Sequence, residues 1–360
     1  MIKLNFVGDV QINSSVENRI DDSVLRLFKN SDFNCINLEG PITTNLNPDL
    51  KAGPNLYQNE NIDQFLDILK IDVAFLANNH IMDFGASGLF ETIKFLENKK
   101  IQYTGAADKG EIAYIPLRIE KNNIKLSIFN FSETQHGAIN FIDDQPGYAK
   151  LFDSKVDDLI IQEKMEQNPD YIIIYAHGGL ETVDVPIKFF REKYDKLINL
   201  GVDCIIGSHP HRSQGYKNLD NSFIFYSLGD FIFDYSKSGD GLVLELIVTK
   251  DNLDYKLHSL DFTNNKISIA TEDFSLNFIQ NLNNKINNEE YLAGIYKEEY
   301  KKQLLSLLQS LDEKKSLTLV IKDFVKRIIN NPTGSYEYKK ILRKHIESNE
   351  TYQDLIKHNR

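Results

Sequence analysis

Asp203-Cys204-Ile205-Ile206-Gly207-Ser208-His209-Pro210-His211 sets a short apolar run directly against a turn that carries two imidazoles. The run is β-branched and bounded by turn residues, so it reads as a sheet strand, and Gly207 to His211 read as the turn at its carboxyl end. Pro210 favours an extended, fixed backbone over a helix here. In extended backbone an i, i+2 pair points its rings to opposite sides, so His209 and His211 can each serve a different ion of a pair. The competing reading is a loop pair that caps nearby helices.

The same pattern recurs outward along the chain. Apolar runs at 2–7, 33–38, 72–76, 124–131, 170–175 and 222–228 read as further strands, and amphipathic stretches at 61–70, 86–98, 154–167 and 186–199 read as the helices between them. Such alternation predicts an α/β fold with a mostly parallel or mixed sheet covered on both faces. Segments 241–249 and 254–262 read as a closing antiparallel pair around Lys250-Asp251-Asn252. From about residue 275 the chain turns rich in Lys, Glu, Asn and Leu, with helical spacing in 289–310, 315–330 and 336–347. Ser316 or Thr318 suits a helix cap, and Pro332-Thr333-Gly334 breaks the last two helices. The expected division is therefore a domain over 1–270 and a helical C-terminal extension over 271–360.

Polar residues crowd the positions after these strands: Gly8-Asp9, Glu39-Gly40, Asn78-Asn79-His80, His177-Gly178-Gly179 and Gly207-Ser208-His209. In open α/β sheets the ligand crevice lies outside the carboxyl ends of the strands, so these segments are expected to converge. Imidazole, amide and carboxylate are the usual ligands of first-row divalent metals. A single histidine of this kind is more often a structural hydrogen-bonding residue. Here His80, His177, His209 and His211 occupy equivalent strand ends together with Asp9, Glu39 and Asn79, which favours a metal site. A carboxylate that bridges two cations reduces their repulsion at ~3.5–4 Å separation, a task that suits Asp9 or Glu39. In Asn78-Asn79-His80-Ile81-Met82-Asp83-Phe84-Gly85 the amide of Asn79 can coordinate, and His80 can act as a general acid or stabilise charge on a leaving oxygen. Asp83, three residues on, would keep that imidazole protonated and aimed if the turn begins a helix. The plainer alternative is a helix start capped by Asn78 or Asn79. Gln11 lies two beyond Asp9 and offers a weak oxygen ligand.

The bulk numbers are permissive. At 360 residues there is room for one large α/β domain and an appendage, and 41% hydrophobic against 26% charged residues is the balance of a folded globular chain. A net charge of -11 without a long Lys/Arg run argues against a nucleic-acid partner. Cys35 and Cys204 each sit in an apolar run, where a free thiol behaves as a small hydrophobe rather than half of a disulfide. No secretory h-region and no apolar stretch of ~18 residues is evident, which points to a cytoplasmic protein without a membrane span.

Taken in order, Gly8-Asp9, Asn37-Leu38-Glu39, Asn78 to Gly85, His177-Gly178-Gly179, Gly207 to His211 and Tyr226-Ser227-Leu228-Gly229-Asp230-Phe231 resemble the motif series of the CapA/PgsA capsule-biosynthesis family. The resemblance implies a fold similar to the calcineurin-like metallophosphatases, a four-layer sandwich of two mixed sheets flanked by helices. It also implies that Asp9 binds a first metal, Glu39 bridges, and Asn79, His177 and His209 complete a second site, with His211 returning to the first and His80 beside the substrate as the acid. The implied cofactors are two divalent ions, with Mn²⁺, Fe or Zn²⁺ equally suited to such ligands. The chain departs from the pattern at Gln11, where many metallophosphatases carry His, at Gly178 in place of an aromatic residue, and at Asp230 in place of Asn. Two functions follow as expectations: a metal-dependent hydrolase of a phosphoester or γ-glutamyl substrate related to a capsule polymer, or a non-catalytic scaffold that holds a capsule-synthesis partner protein.

Overall fold

The computed structural model describes residues 1–235, 240–263, 266–296 and, near the C-terminus, 344, 346–351, 353 and 354. The chain begins with β1 (Ile2–Gln11), α1 (Asp22–Lys29), β2 (Phe33–Leu38), α2 (Asn61–Leu69), β3 (Val73–Phe75), α3 (Gly85–Lys99) and β4 (Gln102–Thr104). It continues through β5 (Ala106–Ala107), α4 (Gly110–Ala113), β6 (Leu117–Lys121), β7 (Ile124–Ser132), β8 (Ala138–Ile139), β9 (Gly147–Ala149), α5 (Val156–Glu166), β10 (Tyr171–His177), α6 (Lys188–Asn199) and β11 (Cys204–Ser208). Then come β12 (Tyr216–Leu219), β13 (Ser222–Phe225), β14 (Asp230–Phe233), β15 (Leu242–Val248), β16 (Leu253–Asp261), β17 (Ser268–Ile269) and α7 (Glu272–Ile286).

Two mixed sheets carry the fold. The first has the order β17-β16-β15-β1-β2-β3-β4, with β14 also paired to β1. Strands β1 to β4 run parallel, whereas β15 and β16 join antiparallel as the expected closing pair. The second has the order β12-β13-β11-β10-β7-β6, parallel through its middle and antiparallel at both edges.

Period-two alternation decides which side chains meet between the sheets. Ile2, Leu4 and Phe6 from β1 pack there with Cys35, Val73 and Phe75, against Ile173, Tyr175, Cys204 and Ile206 of the second sheet. The outer face of the first sheet buries Val7, Val10, Ile36 and Leu38 under Val24, Phe28, Phe65 and Leu89 of the helices. Across the molecule, Ile172, Ile174 and Ile205 are covered by Ile160, Phe190, Tyr194 and Leu197. The result is helix, sheet, sheet, helix: the four-layer sandwich that the motif series implied. Both cysteines are free and buried.

Val7 and Val10 are three apart yet share the outer core, because the β1–β2 register shifts between Phe6 and Asp9. A shift of this kind reverses the alternation, so Asp9 turns to the inner side.

Helix α1 lies outside the expected elements. It is short and amphipathic, burying Val24 and Phe28, and what starts it is Asp21, whose carboxylate accepts from Ser23 N at 2.9 Å. At the other end, α7 buries Leu282 and Ile286 against the sandwich, and 289–296 is helical. The remainder of the expected 289–310 helix, all of 315–330, most of 336–347, and the Ser316, Thr318 and Pro332-Thr333-Gly334 signals lie outside the described residues. Among the described residues no helix is long and apolar enough to cross a membrane.

Phe75 stacks on Tyr175 at 4.3 Å between ring centroids and on Phe6 at 6.1 Å, joining the two sheets at the centre of the core. Phe75→Ala is expected to lower unfolding free energy by about 3–5 kcal/mol, read from urea denaturation.

Candidate metal centre

Parallel pairing brings the strand ends to one place. Asp9 is opposite Asn37 on one side and Asp230 on the other, and His177 is opposite Ser132 and Ser208. Glycine makes this convergence close. A Cβ at Gly8 would lie 1.8 Å from the Gly229 carbonyl oxygen, and one at Gly207 would lie 1.9 Å from that of Tyr226.

The 209–211 turn differs from the extended backbone expected. His209 and His211 both have positive φ, 98° and 53°, with Pro210 between them. Such conformations are costly for residues with a Cβ and persist where the surrounding structure holds them. One such hold is the His209 N–H, which donates to Asp9 Oδ2 at 3.0 Å. The two rings still reach different neighbours. His209 Nδ1 lies 3.1 Å from His177 Nε2, whereas His211 Nδ1 lies 2.8 Å from Asp230 Oδ1 and 3.4 Å from Asp9 Oδ2.

Asp9, buried throughout, sits at the junction. Its Oδ1 accepts from Asn37 Nδ2 at 2.7 Å and lies 3.6 Å from His177 Nδ1. On the far side of that ring, His177 Nε2 is 2.9 Å from Asn79 Oδ1. Ligand atoms of Asp9, Glu39 and His177 all fall within 4.8 Å of one another, and so do those of Asp9, His211 and Asp230. The structure thus brings together Asp9, Glu39, Asn79, His177, His209 and His211. These donors fit divalent cations, and two further facts favour that fit. Both carboxylate oxygens of Glu39 are buried without a hydrogen-bond partner among the described residues, and so is Oδ2 of Asp230.

Electrostatics express the same crowding. Burial, with Asp9 beside it, pushes the Glu39 carboxyl well above its ordinary range. Burial works against a charged His211, but the carboxylates of Asp230, Glu39 and Asp9 outweigh it and hold that imidazole well above its usual value. His209 is driven well below its usual value by burial and by His177. Burial likewise lowers His177 despite the pull of Asp9.

His80 stands at the edge of this cluster, with Nε2 3.8 Å from Glu39 Oε1 and Nδ1 2.7 Å from Asp83 Oδ2. Asp83 aims the ring as expected, through a turn rather than a helix, since α3 starts only at Gly85 and its cap position is Phe84. Asn78 closes the turn rather than capping α3: its Oδ1 accepts from His80 N at 3.2 Å and its Nδ2 donates to Leu38 O at 2.8 Å. Asp83 is not the only group that bears on the charge of that ring. Burial and the ammonium of Lys51 push His80 well below its ordinary value. Lys51 is buried, pairs with Asp83, and places Nζ 3.0 Å from His80 Nδ1.

Gln11 is not a ligand in this arrangement. Its Nε2 donates to Tyr57 O at 2.9 Å and its Oε1 accepts from Tyr235 N at 3.1 Å, so both ends of the amide serve backbone. Three residues at the site escape the sequence reading. Asn37 is legible in principle, two before Glu39 and so on the same strand face. Lys51 lies in a loop without periodicity, and nothing local marks it. Glu133, just past β7, is a buried carboxylate 3.8 Å from His209 Nε2. It accepts from Asn349 Nδ2 at 2.9 Å and Thr351 Oγ1 at 2.7 Å, so the described end of the chain touches the border of the site.

With this geometry in view, likeness to known proteins is informative. The family described as "Bacterial capsule synthesis protein PGA_cap" matches residues 3–235, which hold every residue of the cluster. The chain belongs to that family. It is the family type that the motif series pointed to. The chain is similar to the capsule biosynthesis protein CapA of Bacillus anthracis, 26% identical over 246 residues, covering 65% of this chain and 60% of that one. It is also similar to the PGA biosynthesis protein CapA of Bacillus subtilis (strain 168), 24% identical over 263 residues, covering 70% of this chain and 69% of that one. Among solved structures, a hypothetical protein from Thermus thermophilus aligns with a TM-score of 0.45 at 12% identity, covering 72% of this chain and 99% of that one. That likeness is too slight to bear on function.

Metal ligation needs Glu39 ionised and His211 neutral, and both hold their protons to higher pH than free side chains do. Mn²⁺ addition at pH 7 is therefore expected to release protons, and apparent affinity to rise with pH. Calorimetric titrations in buffers of different ionisation enthalpy measure that release; heats independent of the buffer would contradict it.

Proposed function

We propose that this family member is a metal-dependent hydrolase, acting on a phosphoester or a γ-glutamyl bond of a substrate related to capsule polymers. The observation that carries the proposal is a pair of ligand clusters sharing Asp9, one of them containing Glu39, whose buried carboxylate oxygens have no hydrogen-bond partner among the described residues. The names of the relatives, capsule biosynthesis and PGA biosynthesis proteins, support the substrate class.

Asp9, Glu39 and His211 are the residues on one side that would hold a cation, and Asn79, His177 and His209 those on the other. Divalent cations bound there would polarise the substrate and supply a nucleophilic water of lowered pKa. The chain's own residues do the rest. Asp83 accepts from His80 Nδ1, which leaves Nε2 on the side of Glu39, 3.8 Å from its Oε1, and Lys51 holds Asp83 in place. An anionic substrate supplies the negative charge that offsets burial and Lys51, so His80 Nε2 takes up a proton and passes it to the leaving oxygen or nitrogen.

The chain is expected to bind about two divalent ions, as a site of this kind requires. His209→Ala is expected to lose about one of them together with turnover. His80→Gln is expected to keep both and lose about 10²–10⁴-fold in kcat, the usual contribution of a positioned acid. Metal analysis and turnover of phosphodiester and γ-glutamyl peptide substrates read these outcomes. Wild-type protein that binds neither Mn²⁺ nor Zn²⁺ would overturn the proposal.

A further inference from the structure

Gln11, two beyond Asp9, offers no free donor to the Asp9 cluster, because its amide is engaged with Tyr57 O and Tyr235 N. The neighbouring strand brings another carboxylate instead. β14 pairs with β1 in parallel, and the register sets Asp230 directly opposite Asp9 before shifting between Asp9 and Val10. Asp230 is 1% exposed, its Oδ1 lies 2.8 Å from His211 Nδ1, and its Oδ2 is buried with no hydrogen-bond partner among the described residues. Its carboxylate shares a 4.8 Å cluster with Asp9 and His211.

We propose that Asp230 is a ligand of the first metal position and replaces the donor that Gln11 does not provide; this rests on the two-cation reading above. Two aspartates facing each other in the sandwich interior repel, and His211 supplies at most one positive charge between them. A divalent cation held by both removes the conflict and gives the free Oδ2 a partner. An asparagine would keep a hydrogen bond to His211 and lose the charge, so the identity of residue 230 is what the site depends on.

The consequence is a chemically unequal pair of positions. Asp9, Asp230, Glu39 and His211 make the first position rich in oxygen donors, whereas His177 and His209 make the second rich in nitrogen. Carboxylates suit Mn²⁺ and Mg²⁺ and imidazoles suit Zn²⁺, so the first position discriminates against Mn²⁺ less than the second does.

Titration of the full chain with Mn²⁺, followed by electron paramagnetic resonance and calorimetry, tests the assignment. Asp230→Asn is expected to weaken one of two Mn²⁺ sites by at least about tenfold, since even outer partners of a ligand are worth about 10–100-fold. Gln11→Ala is expected to leave both sites unchanged, and a thermal melt checks that each variant is folded. Asp230→His is expected to restore the lost site with a preference for Zn²⁺, which a residue that only orients His211 would not do. Wild type with two sites and Asp230→Asn equally tight, or Asp230→His without a change in preference, overturns the role of Asp230. Wild type with no sites overturns the underlying two-cation reading instead.

Discussion

Three carboxylates, those of Asp9, Glu39 and Asp230, are gathered in the interior of this protein with too little positive charge to balance them. Buried like charges repel strongly in a medium of low polarisability, and the cations near them among the described residues are His211 and, more distantly through Asp83, Lys51. A fold that keeps such a group together holds free energy that bound cations would release. The raised carboxyl of Glu39 and the raised imidazole of His211 are two signs of that one constraint.

The rest of the sandwich serves to hold these groups in register. Parallel strands deliver their carboxyl ends to one edge, the shift between Phe6 and Asp9 turns Asp9 inward, and small residues at Gly8 and Gly207 let neighbouring backbones meet. Left-handed backbone at His209 and His211 is the local cost of bringing two rings to the cluster from a single turn. The aromatic stack of Phe6, Phe75 and Tyr175 stiffens the space between the sheets, and the Tyr175 hydroxyl donates to Val7 O at 2.9 Å, one residue before Gly8 and Asp9. Core and site are therefore mechanically continuous.

Much of this is legible from residue order. Strands such as β10 and β11 announce themselves by β-branched runs that end in His177 and Gly207-Ser208-His209, and the polar turns after them mark the crevice. What stays hidden depends on distance in sequence. No local pattern shows that Gln11 is held by Tyr57 and Tyr235, or that Asp230 lies opposite Asp9 across more than two hundred positions. The surroundings of His80 escape a local reading for the same reason: Asp83 is three residues away and visible, whereas Lys51, 3.0 Å from the ring, comes from a separate loop. The backbone at 209–211 departs from the extended form that proline favours in its neighbours, because Asp9, two hundred positions earlier, draws the His209 amide inward instead.

The most direct measurement is anomalous X-ray scattering from a crystal soaked in Mn²⁺. The account predicts two peaks separated by ~3.5–4 Å, as a carboxylate-bridged pair requires. One should lie among Asp9, His211 and Asp230, the other among Asn79, His177 and His209, with Glu39 between them. Density for Glu39 and Asp230 turned away from a pocket holding no anomalous signal would contradict it.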